Sequence, residues 1–143
     1  NITDFKHFDL ITPNEREARF SLGNQDASIG SLAGELIAKS NAKNLILKLG
    51  EKGIFSISKK SANRQKYFSL DTFCGNLIDG VGAGDALLAY SALTLFKTKS
   101  LLISSIVGSL AAACECEVDG NIPVNNEKIK HKLEVLEKNL IND

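Results

Sequence analysis

The chain has 143 residues, 43% hydrophobic and 24% charged, an ordinary globular composition that excludes a disordered tail or a fibrous repeat. Its 17 basic side chains are balanced by 17 acidic ones, so charge alone gives no footing for nucleic acid or an acidic membrane surface. Cys74, Cys114 and Cys116 lack the companion pairs of a disulfide framework or a zinc site. They read as free, buried thiols of a reducing cytoplasm. Apolar stretches at 86–96 and 101–114 are too short to cross a bilayer, and the opening residues carry no signal-peptide pattern. No methionine occurs, so the chain is expected to begin inside a longer protein.

In chain order, the apolar run 8–11 fits a buried strand, broken by Thr12-Pro13-Asn14. Residues 15–22 fit a helix ended by Gly23. Ile29, Leu32, Ala33, Leu36 and Ile37 recur at helical spacing. Residues 44–49 read as a strand, 50–53 as a turn and 54–58 as a second strand. A polar, basic stretch at 59–66 is expected to be an exposed loop, and 66–79 to be extended. The segments 84–96 and 101–114 are apolar on nearly every face, which predicts two buried helices. After a loop around "EVDGNIP", Ile129, Leu133, Leu136 and Leu140 mark an amphipathic helix with Asn125 or Asn126 as N-cap.

Continuous apolar strands alternating with helices predict a single α/β domain over residues 1–143. Its expected form is a three-layer sandwich with a largely parallel sheet flanked by helices. Such sheets bind ligands beyond the carboxyl ends of their strands. The loops 12–17, 50–53 and 79–85 all follow predicted strands and are expected to converge on one edge.

The stretch "LIDGVGAGDALLAY" (77–90) carries the most chemistry. Three glycines, at 80, 82 and 84, stand at the mouth of a predicted helix. First-turn amides have no internal partners and carry partial positive charge, and glycine lets a bulky anion approach them. The spacing matches neither the dinucleotide fingerprint, because Leu87 stands where glycine is required, nor a Walker A loop. A carboxylate at Asp85 would repel a bound phosphate but suits a base: the helix dipole favours its charged form, and it could take a proton from an attacking hydroxyl. Spacing alone equally allows Asp85 to cap a helix and the glycines to permit tight packing.

"DGVGAGDALLA" resembles the Asp-x-x-Gly-Ala-Gly-Asp signature of the PfkB/ribokinase sugar kinases. In the same order, "TPNEREA" is similar to their Asn-x-x-Glu motif and "LKLGEKGIF" to their Leu-Gly-x-x-Gly strand-turn-strand. "AAACECEVDGNIP" is similar to the region that closes around adenine. The resemblance implies a ribokinase-like fold and an ATP-dependent phosphorylation of a sugar or sugar-phosphate hydroxyl. Asp85 would be the catalytic base, and the amides of Gly82, Ala83 and Gly84 the anion hole. Asn14 and Glu17 would hold Mg2+ and the phosphates through water. The turn from Gly50 to Gly53 would lie beside the nucleotide phosphates with Lys48 nearby, and Ala112 and Asn121 would line the adenine pocket.

Each match has a plainer reading beside it. Asn14 and Glu17 could simply cap and charge a helix. Lys48 could be a strand-edge lysine, since relatives often carry threonine there. His7 and His131 belong to no chemical constellation. Position 80 is glycine where relatives usually carry threonine or another side chain, whereas Asp79 and Asp85 are both intact.

The resemblance also implies an upstream half, with a lid and most sugar-gripping residues, to which nothing here corresponds. An exposed sheet edge and uncovered apolar surface are therefore expected, inviting self-association into a homo-oligomer. "YFSLDTFCGNLIDGVGAGDALLA" with "VDGNIPV" looks closest to the heptose-phosphate kinase branch. A catalytically silent nucleotide-binding regulatory module and a purely structural helical domain are the competing readings.

Overall fold

The computed structural model describes residues 1–59, 66–119 and 123–142, with side chains through 139. The expected loop at 59–66 falls mostly outside the described residues, as does Asn121. The chain forms two compact units, Asn1–Asp71 and Thr72–Asp143.

The first unit holds two helices and a three-stranded sheet. Helix α1 (Glu15–Leu22) starts at N-cap Asn14 and stops at Gly23, whose φ of 64° puts it in the left-handed region that glycine enters freely. Helix α2 (Ile29–Ser40) is capped by the Ser28 side chain, and it buries Leu32, Ala33, Leu36 and Ile37, the face its spacing predicts. Strands β1 (Asn44–Lys48), β2 (Ile54–Ser58) and β3 (Lys66–Leu70) lie side by side in that order. Leu45, Leu47, Phe55 and Ile57 pack with Ile11, Ala18 and the apolar face of α2 into one core. Each large side chain fully buried there stabilises the unit by roughly 1.5–3 kcal/mol.

The sheet departs from the expected largely parallel arrangement. Both named pairings, β1 with β2 and β2 with β3, are antiparallel. For β1 and β2 the cause is the short Gly50–Lys52 connection, which permits a hairpin and not a crossover. Among the described residues, parallel pairing enters only through two isolated bridges, Ile11 to Leu45 and Asn14 to Lys48. The expected strand at 8–11 is therefore a bridged segment beside β1. Of the stretch expected to be extended, only β3 is a strand; it is the sheet's edge and exposes Tyr67.

The second unit is helical: α3 (Ala83–Thr98), α4 (Leu101–Cys116) and α5 (Asn126–Asn142). The Asn125 side chain accepts from Lys128 N–H and caps α5. Helix α4 buries ten residues and meets the expectation of a buried helix. Helix α3 does not, because it buries only Leu87 and Ser91. Leu93 and Phe96 are 66% and 73% exposed, and Leu88 is exposed beside them. Within this unit three helices cannot cover an element that is apolar all round. Leu110, Ala111, Cys114 and Ile129 form the unit's small core, joined by Phe73, Ala86, Tyr90 and Leu136. Leu133, expected on the inner face of α5, is 41% exposed.

Helices α3 and α4 approach closely through small residues. Ser91 Oγ donates to the Ser104 carbonyl at 3.2 Å, and Ser104 Oγ donates to the Ser91 carbonyl at 2.7 Å. Gly108 sits beneath this pair: a Cβ there would lie 1.9 Å from Ser91 Oγ and 3.0 Å from the Leu87 carbonyl oxygen. This packing fixes the helix that begins at the glycine motif.

Candidate functional site

Asn14 has extended backbone and ends the segment bridged to β1. Its N–H donates to Glu17 Oε2 at 2.8 Å, and Glu17 N–H donates to Asn14 Oδ1 at 2.7 Å. This is a capping box, so the plainer expectation for the Asn-x-x-Glu pair is met in full. It leaves the other face of the exposed Glu17 carboxylate open to solvent, since its Oε1 enters no bond with Asn14. The parallel bridge places Asn14 beside half-buried Lys48, whose N–H donates to the Pro13 carbonyl at 2.9 Å.

One residue past Lys48 the chain turns. Gly50 and Gly53 have φ of 64° and 80°, which side-chain-bearing residues adopt only at a cost. Leu49 N–H donates to the Gly53 carbonyl and Gly53 N–H to the Gly50 carbonyl, at 2.8 and 3.0 Å. Asn14, Glu17, Lys48, Gly50 and Gly53 thus gather at one end of the first unit's sheet; of the three loops expected at one edge, 12–17 and 50–53 lie in this unit and 79–85 does not.

The glycine motif lies in the second unit. Asp79 Oδ1 accepts from Val81 N–H at 2.9 Å, a local turn that feeds the chain into Gly82. Gly82 is the N-cap of α3 with φ 85° and ψ −21°, and no side chain caps this helix. The amides of Gly84 and Asp85 therefore open the helix without a side-chain acceptor, where backbone dipoles concentrate positive charge, while Ala83 N–H donates to the Gly80 carbonyl at 3.4 Å. The exposed Asp85 carboxylate stands in that same first turn. Gly80 is under no steric demand: a Cβ there would meet only Leu77 Cδ1, at 4.0 Å. A residue with a side chain would find space there.

Ala112 lies half-buried on α4. Among the described residues, no group of three or more His, Cys, Asp or Glu side chains is placed to grip a metal directly.

Glu117, just past α4, plays a part that the sequence did not single out. Its carboxylate accepts Gly75 N–H at 2.7 Å and grips Lys132 Nζ of α5 at 2.7 and 2.8 Å through its two oxygens. Burial works to raise its pKa, but the hydrogen bonds from Lys132 and the Gly75 amide outweigh burial and hold it below the ordinary glutamate value. The neighbouring Cys116 carbonyl accepts Ile78 N–H at 2.8 Å and Asp79 N–H at 3.1 Å. The approach to the glycine motif is thus pinned to the end of α4. Nothing local announces a partner 15 residues away, so helical periodicity could not reveal it.

The family model for pfkB family carbohydrate kinases matches residues 3–128. The chain belongs to the PfkB family of carbohydrate kinases, which are phosphotransferases. A curated relative, ATP-dependent 6-phosphofructokinase isozyme 2 of Mycobacterium tuberculosis, is 25% identical over 129 residues, covering 88% of this chain and 37% of the relative. A ribokinase from Thermotoga maritima is similar in structure, with 28% identity and a TM-score of 0.76 over 94% of this chain and 45% of that one. Phosphofructokinase-2 from Escherichia coli superposes with a TM-score of 0.80 at 17% identity, over 94% and 43% of the two chains. The fold is ribokinase-like, and the chain spans less than half the length of these relatives.

Proposed function

We propose that this chain is the ATP-binding and catalytic portion of a kinase that phosphorylates a hydroxyl of a sugar or sugar phosphate. One observation carries the reading most directly: an uncapped helix mouth, opened by a left-handed glycine, with an exposed aspartate in its first turn. Asp85 accepts the proton of the attacking hydroxyl as that oxygen bonds to phosphorus. The amides of Gly82, Ala83 and Gly84 donate to the oxygens on which charge accumulates. The Gly50–Gly53 turn, with Lys48, borders the nucleotide phosphates; Ala112 and Asn121 line the adenine side. Asn14 and Glu17 anchor the hydration shell of Mg2+, which neutralises phosphate charge when bound. The heptose-phosphate branch is the favoured substrate class, resting on the local stretches quoted above.

The test is ADP release by the full-length protein against a panel of sugars and sugar phosphates, with Asp85→Asn in parallel. A general base contributes about 10²–10⁴-fold, so kcat should fall by that order while nucleotide affinity is kept. Full activity in Asp85→Asn refutes the assignment. Tight nucleotide binding with no turnover on any substrate favours the regulatory module, and no nucleotide binding favours the structural one.

A further inference from the structure

We infer that Cys74 and Cys116 form a reversible intramolecular disulfide by exchange with a low-molecular-weight disulfide of the glutathione class. The backbone already brings the two together. Gly75, next to Cys74, donates its N–H to Glu117 at 2.7 Å, and Ile78 and Asp79 donate theirs to the Cys116 carbonyl. The two thiols lie close enough to act on one another electrostatically, and both residues are half-buried. Cys114 is excluded, because it is buried in the core with Leu110 and Ile129. Residues two apart on a helix also do not face each other, so Cys114 and Cys116 are not a pair.

The reaction balances in two exchanges. The Cys74 sulfur attacks the oxidised reagent, loses its proton to solvent and expels one reagent thiolate, leaving a mixed disulfide. The Cys116 sulfur then attacks Cys74 Sγ, giving up its own proton and expelling the second reagent thiolate. The two cysteine sulfurs are oxidised, the reagent disulfide is reduced, and the two released protons complete two reagent thiols. Burial first, then the adjoining Cys74 thiol, pushes the Cys116 thiol up to about 11. It is therefore a poor first nucleophile at neutral pH, and its part is to resolve the mixed disulfide, where proximity compensates for a scarce thiolate. The closed bond would tie the approach to the glycine motif covalently to α4 and enclose all of α3.

The experiment treats the intact chain with oxidised glutathione, then traps free thiols with iodoacetamide in denaturant so that buried thiols also react, and maps the products by mass spectrometry without reduction. The expected product keeps one of the three cysteines alkylatable, Cys114, with peptides joined through Cys74 and Cys116, and dithiothreitol restores all three. Cys116→Ser should stop at a glutathione adduct on Cys74, whereas Cys114→Ser should still close the bond. A lasting glutathione adduct on Cys74 of the unaltered chain, a disulfide involving Cys114, or cross-linked dimers instead of the internal bond would each overturn the inference. Mapping the unaltered chain decides the matter even if a serine variant fails to fold.

Discussion

Replacing Gly108 by alanine asks whether the close approach of α3 and α4 is a true constraint. The added methyl would stand 1.9 Å from Ser91 Oγ, about 1.5 Å short of ordinary contact. Two responses are open. Ser91 can rotate away, which breaks its 3.2 Å bond to the Ser104 carbonyl and strands a fully buried hydroxyl. That costs roughly 1–3 kcal/mol. Alternatively the helices separate, at an overpacking cost also of roughly 1–3 kcal/mol. Alanine recovers about 1 kcal/mol of helix propensity over glycine, so the net loss should be roughly 0–2 kcal/mol. At about 2–4 °C per kcal/mol for a chain of this size, scanning calorimetry would register the drop readily. Ser91→Ala supplies the control, because it removes the nearest obstacle and leaves the Leu87 carbonyl oxygen at 3.0 Å. In a double-mutant cycle, Gly108→Ala should then cost at least about 1 kcal/mol less than in the parent. Strict additivity of Gly108→Ala with Ser91→Ala would refute the packing argument.

Three other expectations can be checked on the same material. Glu117→Gln should cost roughly 1–3 kcal/mol near neutrality, since it leaves the 84%-covered Lys132 side chain without its ion pair. The Glu117 pKa is lowered in the fold, so its contribution is complete above the unfolded value of about 4.3 and fades as pH falls through the folded value; urea titrations should therefore converge for the two proteins under acid. Asn14→Ala removes the side-chain half of the α1 capping box and should lower stability by about 1 kcal/mol in denaturant melts. Leu93→Ser combined with Phe96→Ser should reduce self-association in sedimentation velocity while shifting stability by no more than about 0.5 kcal/mol, because both side chains are already largely exposed.

Much of the fold was legible in local chemistry. The α1 boundaries followed from Asn14 and Gly23, and the β1–β2 hairpin from the glycines at 50 and 53, because caps and turns are decided by a few adjacent residues. The buried face of α2 followed from spacing alone. Sheet direction is not carried by the strands themselves, since an apolar run such as 45–47 is the same whether its neighbour runs parallel or antiparallel; the short 50–53 turn carries it for β1 and β2, against the largely parallel sheet that the alternation of strands and helices predicts. Nor was the exposure of α3, since an all-apolar pattern says what a helix can bury and not what is there to cover it. In the candidate site, the glycine mouth and Asp85 stood out because they are contiguous. Glu117 did not, because its role depends on Gly75 and Lys132 meeting it from distant parts of the chain.

Position 82 makes two separate demands that ordinary mutagenesis always changes together. With φ at 85° and ψ at −21°, its backbone lies where mirror-image amino acids sit comfortably and their natural counterparts do not. Chemical synthesis could install D-alanine there, keeping the handedness of the bend while adding bulk. Such a replacement would tell whether this residue is achiral so that the chain can turn, or small so that a guest can come near.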